Sequence, residues 1–450
     1  MRDQGTWFGQ PRGLTILFLT ETWEKFSFFG MRALQIYYMT KGLNLTQATA
    51  SYIFGAYAAG VYLTPIFGGL LADRWLGRKR AVVIGGLLMA VGHFMMAFEP
   101  LFFVAMAVIA VGNGLFLPNL PSQVPLLYPK GDRRIDSAFN VYYVGVNLGG
   151  FLAPLVCGTL GELYGWHYGF GAAGIGMCLG LAIYVWGGRY LPADAPARPA
   201  RAAAGPAQAG DGAGHVALLL GVAFAVVLFR TAYEQTGNTL ALWMDTRVDR
   251  LAFGMAIPAT WFQALNPMFV FLISPVLVHA WNVRARRAGT VAGEGAGIAS
   301  SLRRMAAGAA GMGACYGALA LLIALGAGGA VPVHWLWLVG FFAVFTLAEL
   351  HILPVGLGLF ARLAPARFGA TTIAAWFLCS FAGNLLAGIV GAAWERTTPQ
   401  AFFLAMAAVG GVAGLLLLGI EVLYRTRRAA ALRHAAAVAH DGALRESTDP

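Results

Sequence analysis

The chain has 450 residues, 58% of them apolar and 11% charged, with a mean hydropathy of +0.67. Soluble domains carry about 25% charged residues, so this balance excludes a soluble enzyme, a disulfide-stapled secreted module and a disordered tail, and it marks a polytopic membrane protein. The formal charge of +11 lies in short clusters between apolar runs, the pattern of the positive-inside rule and not of nucleic-acid binding.

A helix needs about 20 apolar residues to cross the hydrocarbon core. The sequence predicts twelve such spans, at 14–40, 48–72, 81–98, 101–127, 137–161, 167–188, 215–243, 252–279, 305–329, 334–361, 369–393 and 401–424. The first is longer and more charged than a cleavable signal and reads as a retained helix. Residues 189–214, rich in Pro, Ala and Gly, divide the spans six and six and read as a flexible linker. The predicted organisation is a six-helix bundle over 1–188, the linker 189–214, a second bundle over 215–424 and a tail over 425–450. Two six-helix halves, each a pair of inverted three-helix repeats, make up the major facilitator fold, so the expected class is an all-α membrane protein of that fold.

The basic clusters at 74–80, 130–134, 189–201, 284–304 and 362–367, with those of the tail, fall on the side of both termini, whereas Lys41, Arg247, Arg250 and Arg396 fall on the other. The asymmetry predicts cytoplasmic termini. Arginine far outnumbers lysine amid abundant Ala and Gly, a bias that points to a GC-rich bacterial genome and hence to a bacterial inner membrane. Cys157, Cys178, Cys315 and Cys379 sit inside apolar runs as packing residues, without disulfide or metal spacing.

Ionisable residues inside spans are expensive and usually functional. They are Glu21, Glu24, Lys25 and Arg32 in span 1, Arg230 and Glu234 in span 7, and Glu349 in span 10. These spans each open a three-helix repeat, where a facilitator lines its cavity. Span 4, the remaining repeat opener, carries instead Asn113 and Asn119 around a Pro118 and Pro121 kink. Glu21, Glu24, Lys25, Phe28 and Arg32 share one helical stripe. Four charges at roughly 2.5–3.5 kcal/mol each would cost span 1 about 10–14 kcal/mol against lipid, so the stripe faces water or partner charges. Arg230 and Glu234 stand i,i+4 and can pair. Glu349 has no basic neighbour in its own span, and Glu421 lies one turn before Arg425 at an interfacial helix end. His93, His167 and His351 lack metal spacing and read as structural. No nucleophile elbow, metalloprotease motif or paired-carboxylate pattern is present, and the glycine-rich strings follow no strand and so bind no nucleotide.

Six blocks in order carry a resemblance: ETWEKFSFFGMR at 21–32, GGLLADRWLGRKR at 68–80, VYYVGVNLGGFLAPLVCG at 141–158, AYEQ at 232–235, IPATWFQALNPMFV at 257–270 and LAELHILPVGL at 347–357. Together they resemble the proton-dependent oligopeptide transporter family of the major facilitators, over nearly the whole chain outside the linker and tail. The resemblance implies that Glu21, Glu24 and Lys25 belong to the proton-coupling cluster, with Glu234 in a gating or proton-linked position. It implies that Arg32 meets a substrate carboxylate and Glu349 the substrate amino end, and that Tyr62, Asn147, Asn266 and Trp376 line the pocket. Asp73, Arg74, Arg78 and Lys79 would hold the cytoplasmic gate. The chain departs from the family pattern at Lys25 for an arginine, Phe28 and Phe29 for paired tyrosines, Leu117 for a lysine and Arg230 for an aromatic residue. The linker is too short for the two extra helices that many bacterial members carry there.

The expected activity is proton-coupled symport of di- and tripeptides or peptide-like compounds by alternating access, with no cofactor beyond the proton gradient and with peptide, protons and the bilayer as partners of an expected monomer. The alternatives are a family member repurposed for a non-peptide anion or natural product, exporters included, and a membrane-embedded acyltransferase. The latter would need a reactive His, Ser or Cys constellation on the cavity, which the sequence does not offer.

Overall fold

The computed structural model describes residues 6–7, 9–129, 131–132, 134–192, 212–252, 254–287, 294–326, 331–363 and 369–446. The expected linker falls largely outside these residues. Thirteen α-helices follow in chain order among them: α1 Arg12–Tyr37, α2 Gln47–Leu71, α3 Arg78–Met95, α4 Phe102–Phe116, α5 Arg134–Ala153, α6 Trp166–Trp186, α7 Gly212–Tyr233, α8 Thr239–Arg247, α9 Leu265–Arg287, α10 Glu294–Leu325, α11 Leu336–Leu363, α12 Gly369–Gly391 and α13 Pro399–Glu446. The fold is the all-α facilitator architecture, with α7 and α8 together forming the seventh span.

Ten helical segments among the described residues are long and apolar enough to cross a membrane. The two expected spans missing from that set are α1, which carries five charged residues, and α3, which opens on Arg78, Lys79 and Arg80. Both are built into the first half, α1 against α5 and α6, and α3 against α4 and α6. In the second half α10 packs on α11 and α13, and α7 on α12 and α13. The halves meet along α2 with α12 and α5 with α9. At the first crossing the backbones nearly touch, since a Cβ on Gly55 would lie 2.5 Å from Gly388 Cα. Val104, Leu220, Phe224 and Leu415 point outward from their helices, as residues facing acyl chains do.

Several helix boundaries differ from the sequence expectation, each for a local reason. Span 4 ends as an α-helix at Phe116, and its remainder becomes short 3-10 turns at Pro121–Gln123 and Pro125–Leu127, because prolines there remove donors and disfavour the preceding turn. Span 7 breaks after Tyr233 into a 3-10 turn, Glu234–Gly237, before α8. The expected start of span 8 at 252 is not helical. Leu251–Ala252 and Met255–Ala256 form a two-stranded ribbon, and Pro258 leads into the 3-10 turn Ala259–Ala264 before α9 begins. The expected tail at 425–450 is helical through Glu446, continuing α13 over 48 residues, about 72 Å at 1.5 Å per residue. Apolarity alone marked where a membrane would end the span, not where the backbone hydrogen bonds stop.

Candidate functional site: a charged cavity between the halves

A cavity of about 500 Å³ lies between the two halves. Arg32, Tyr62, Asn147, Arg230, Glu234, Asn266, Glu349 and Trp376 all line it. These eight residues come from eight different helices or turns, so the structure gathers every residue singled out from the sequence as pocket-lining. Tyr143, Tyr233, Gln263 and Phe342 join them.

One wall is built around Glu234, which opens the turn that breaks the seventh span. Its Oε1 accepts from Arg230 Nη1 at 3.0 Å, the i,i+4 pair expected from the sequence. Its Oε2 is also bound by Arg32 of α1, a contact across the two halves that spacing within a span could not reveal. One carboxylate is therefore shared by two guanidinium groups. Both guanidiniums lie over aromatic faces: that of Arg32 lies 5.2 Å from the Phe54 ring centre, and that of Arg230 lies 5.1 Å from Tyr62 and 5.5 Å from Tyr233. Such stacking suits the planar, weakly hydrated guanidinium.

The opposite wall is anionic. Glu349 accepts from Asn266 Nδ2 at 2.6 Å and from the Tyr233 hydroxyl at 3.1 Å, while Asn266 also donates to Thr346 Oγ1 at 3.0 Å. Neutral donors orient this carboxylate, and no ion pair to it occurs among the described residues. A ligand ammonium placed there would meet an oriented acceptor.

Glu21, Glu24 and Lys25 do not line the cavity. They form a compact cluster on α1 beside it: Lys25 Nζ lies 2.7 Å from Glu24 Oε2 and 3.5 Å from Glu21 Oε1, and Tyr142 of α5 donates to Glu21 Oε2 at 2.5 Å. Both carboxylates are buried. Lys25 stands 5.9 Å from the ring of Phe28, which does line the cavity, so the cluster and the cavity are separated by one side chain.

Above the cavity, at the end away from the termini, a network ties the halves together. Lys41 pairs with Asp245 at 2.5 Å, Asp245 with Arg250 at 3.1 Å, and Arg250 with Glu162 at 3.8 Å. Glu162 also accepts the backbone N–H groups of Ala259 at 3.0 Å and Thr260 at 2.8 Å. Further cross-half bonds run from Tyr37 to the Ala241 carbonyl, from Ser51 to Asn238, from Gln47 to the Gly391 carbonyl, from Trp261 to Thr159 and from Gln263 to the Ala33 carbonyl. Sequence reading missed this network. Its signal was available, since Lys41 and Arg250 are two of the few basic residues that the charge asymmetry leaves on that side.

The arginine-rich end, which carries the termini, is tied differently. Arg78 donates to the Ser122 carbonyl at 3.4 Å, and Lys79 to the carbonyls of Gly188 at 3.2 Å and Leu191 at 3.4 Å. Each of these bonds joins elements of the first half. Asp73 and Arg74 are exposed on the turn Ala72–Leu76, which ends at Gly77 with φ of 76°. In the second half Arg303 pairs with Glu421 at 2.8 Å, Arg425 with the same carboxylate at 3.6 Å, and Arg362 donates to Ser301 at 2.6 Å. Glu421, expected at an interface, is thus buried beneath two exposed arginines. His93 is fully buried within α3, and Cys157, Cys178, Cys315 and Cys379 are free thiols.

Comparison with known proteins follows the same outline. A family model described as the POT family matches residues 79–200 and 210–404. The interruption falls inside the expected linker. The chain is 32% identical to a di-/tripeptide transporter of Lactococcus lactis subsp. cremoris, over 93% of this chain and 97% of that protein. Its structure matches that of a peptide transporter POT solved with sulfate, at 32% identity and TM-score 0.82, covering 94% of this chain and 96% of the other. A POT family transporter solved with 5-aminolevulinic acid matches at 26% identity and TM-score 0.81, over 94% of this chain and 98% of that one.

Proposed function

The chain belongs to the POT family, and from that premise we propose that it is a secondary transporter carrying di- and tripeptides, or compounds shaped like them, in symport with protons. One observation carries the reading: a cavity between the halves sets two arginines on one wall and an oriented, unpaired carboxylate on the other. A zwitterionic peptide has the complementary ends. Peptide transport by the Lactococcus relative and the aminolevulinic acid bound by a structural neighbour support this class of ligand over a non-peptide anion, an export substrate or an acyl acceptor.

In this reading Arg32 receives the peptide carboxylate and Glu349 its ammonium, while Tyr62, Asn147, Asn266 and Trp376 shape the space between. Glu21, Glu24 and Lys25 take and release the proton beside the cavity, and Glu234 changes partner when Arg32 turns to substrate. In this reading the cross-half network closes the cavity on one side and the cavity opens toward the arginine-rich end. The positive-inside rule puts that end in the cytoplasm, which makes the state inward-facing, with Asp73, Arg74, Arg78 and Lys79 on its open rim. The bundles 1–188 and 215–424 rock about the cavity as two bodies within a bacterial inner membrane, as a monomer. The proton gradient is the sole energy source, and neither a cofactor nor an enzymatic step is required. A potential of about 100 mV supplies about 2.3 kcal/mol per charge and one pH unit about 1.36 kcal/mol. Together they support roughly a 500-fold gradient per proton.

The test is uptake of labelled dialanine into proteoliposomes under an imposed proton gradient. Concentrative uptake is expected from the native chain. Glu21→Gln is expected to lose it while keeping exchange of dialanine across the membrane without a gradient. Absence of dialanine uptake by the native chain would overturn the substrate class, and full gradient-driven uptake by Glu21→Gln would remove this carboxylate from coupling.

A further inference from the structure

The second half carries three arginines that neither the cavity nor the network closing it uses. We propose that Arg284, Arg304 and Arg362 form a binding site for the phosphodiester of an anionic phospholipid, in the leaflet at the end that carries the termini. The site is independent of the substrate cavity and of what that cavity carries.

Three helices bring these residues together. Arg284 stands near the end of α9, Arg304 early in α10 and Arg362 near the end of α11. α11 is the middle helix, packed on both α9 and α10. Along it Val344, Leu347, His351, Gly358 and Arg362 follow at three-, four- and seven-residue steps and share one stripe. His351 is two residues from the cavity-lining Glu349, about 200° around the helix, so the stripe is the side of α11 turned away from the cavity. His351 meets the Trp281 ring of α9 edge-on at 5.3 Å, and the Arg304 guanidinium lies 4.4 Å from the same ring. Trp281 thus bridges α9 and α10 and holds Arg304 across the outer face of α11.

The three charges are unmet. Arg362 donates to Ser301 Oγ at 2.6 Å and to the Gly358 carbonyl at 3.3 Å, both neutral acceptors. Arg284 and Arg304 donate no hydrogen bond among the described residues, and none of the three pairs with an acid there, whereas Arg303 and Arg425 share Glu421. Arg284 and Arg362 are also near enough for their charges to act on Arg304. Like charges held together repel unless an anion lies among them. There is room for one. A Cβ on Gly358 would meet nothing within 4 Å, so the stripe is open between the Trp281–His351 contact and Arg362. Farther along, Leu347 and Val344 are exposed, as is Val278 of α9, one turn from Trp281. Arginines below exposed apolar side chains match a phosphate below acyl chains, and basic pockets between membrane helices take acidic headgroups. The guanidinium fork fits phosphate oxygens. A zwitterionic headgroup would bring its own ammonium among three guanidiniums, and a soluble phosphate would leave the apolar stripe uncovered.

The experiment titrates the full-length chain in detergent with phosphatidylglycerol, with phosphatidylcholine of the same acyl chains and with inorganic phosphate, and counts bound lipid by native mass spectrometry. The native chain is expected to bind its first phosphatidylglycerol about tenfold more tightly than phosphatidylcholine, and to keep it in millimolar inorganic phosphate. Arg284→Gln, Arg304→Gln and Arg362→Gln combined are expected to abolish that preference. Gly358→Leu, which fills the open stripe and leaves every charge in place, is expected to do the same. Arg427→Gln, Arg428→Gln and Arg433→Gln of α13 combined remove the same charge elsewhere and are expected to keep it. The unfolding temperature of each variant without lipid checks its fold. Equal affinity of the native chain for the two lipids would overturn the proposal, and that measurement needs no variant. A preference that survives in both groove variants, or falls equally in the α13 variant, would overturn it by making the attraction diffuse. Displacement of phosphatidylglycerol by millimolar phosphate would overturn the lipid in favour of a soluble anion.

Discussion

Glu162 ties the two halves together at the far end of the cavity, and its replacement by glutamine measures how firmly. The carboxylate accepts two backbone N–H groups from the turn of the other half, at 2.8 and 3.0 Å, and stands 3.8 Å from Arg250. Hydrogen bonds to a charged acceptor contribute about 1.5–3 kcal/mol each, and a partly exposed ion pair about 0.2–1 kcal/mol. Glutamine keeps one carbonyl acceptor, turns an NH2 toward the other N–H and loses the charge. With side-chain exposures of 16% and 23% for Glu162 and Arg250, water recovers part of the loss. A net weakening of about 2 kcal/mol remains, roughly a 30-fold change in the closed-to-open ratio at this end. An open fraction of about 1% would rise to about a fifth. The assay is a spin-label distance distribution between Tyr168 of the first half and Leu251 of the second, both exposed, in a background without the exposed Cys178. Asp132→Asn, which breaks only an exposed pair with Arg134 at the opposite end, serves as the control. An unchanged distribution in Glu162→Gln would refute the assignment of this carboxylate as a closing tie.

Glu349→Gln is expected to weaken binding of dialanine about tenfold or more while sparing its N-acetyl analogue. Equal losses for both would mean that the carboxylate serves the fold and not the ligand ammonium. Lys25→Met leaves Glu21 and Glu24 buried without their cation, so thermal stability is expected to fall by about 3–5 kcal/mol. Adding Glu24→Gln should restore most of that loss, and failure to restore it would show that the two residues are not energetically coupled. Gly55→Leu places side-chain carbon against the Gly388 backbone, where neither helix can yield cheaply. A loss of about 1–3 kcal/mol from overpacking, with slower dialanine exchange, is expected, and native values for both would mean that α2 and α12 can separate without cost.

The cavity was legible in the sequence because burying charge in a membrane is costly. Arg32, Arg230, Glu234 and Glu349 announced themselves as ions in apolar runs, and the repeat position of their spans placed them on one cavity. The break at Glu234 was less legible: EQTGNT at 234–239 interrupts the apolar run, but nothing in a hydropathy profile distinguishes an α-turn from a 3-10 turn. The strands at 251–256 were missed for the same reason, because a short ribbon of Leu, Ala and Met has the composition of a helix end. The pairing of Glu234 with Arg32 was beyond any reading of spacing, as the two residues are 202 positions apart. Spacing gave the local partner, Arg230, and only packing of the halves supplied the other.

The seventh span explains how occupancy of the cavity can act on its closure. Within residues 230–245 it carries Arg230 and Glu234 on the cavity, then Asn238, which accepts from Ser51 of α2 at 2.8 Å, then Asp245, which holds Lys41 and Arg250. Site and closing network are thus parts of one short stretch, with the 3-10 turn Glu234–Gly237 between them. In the empty site the bond from Arg32 to Glu234 is itself a tie between the halves. A ligand carboxylate that takes Arg32 removes that tie, while the ligand ammonium on Glu349 makes a new one through the ligand. A ligand moves a conformational equilibrium only by contacts that differ between the two states, and here the exchange of a protein tie for a ligand tie is such a difference. A peptide long enough to touch both walls replaces what it breaks. A bare carboxylic acid breaks the tie and replaces nothing, so it should occupy Arg32 without driving transport.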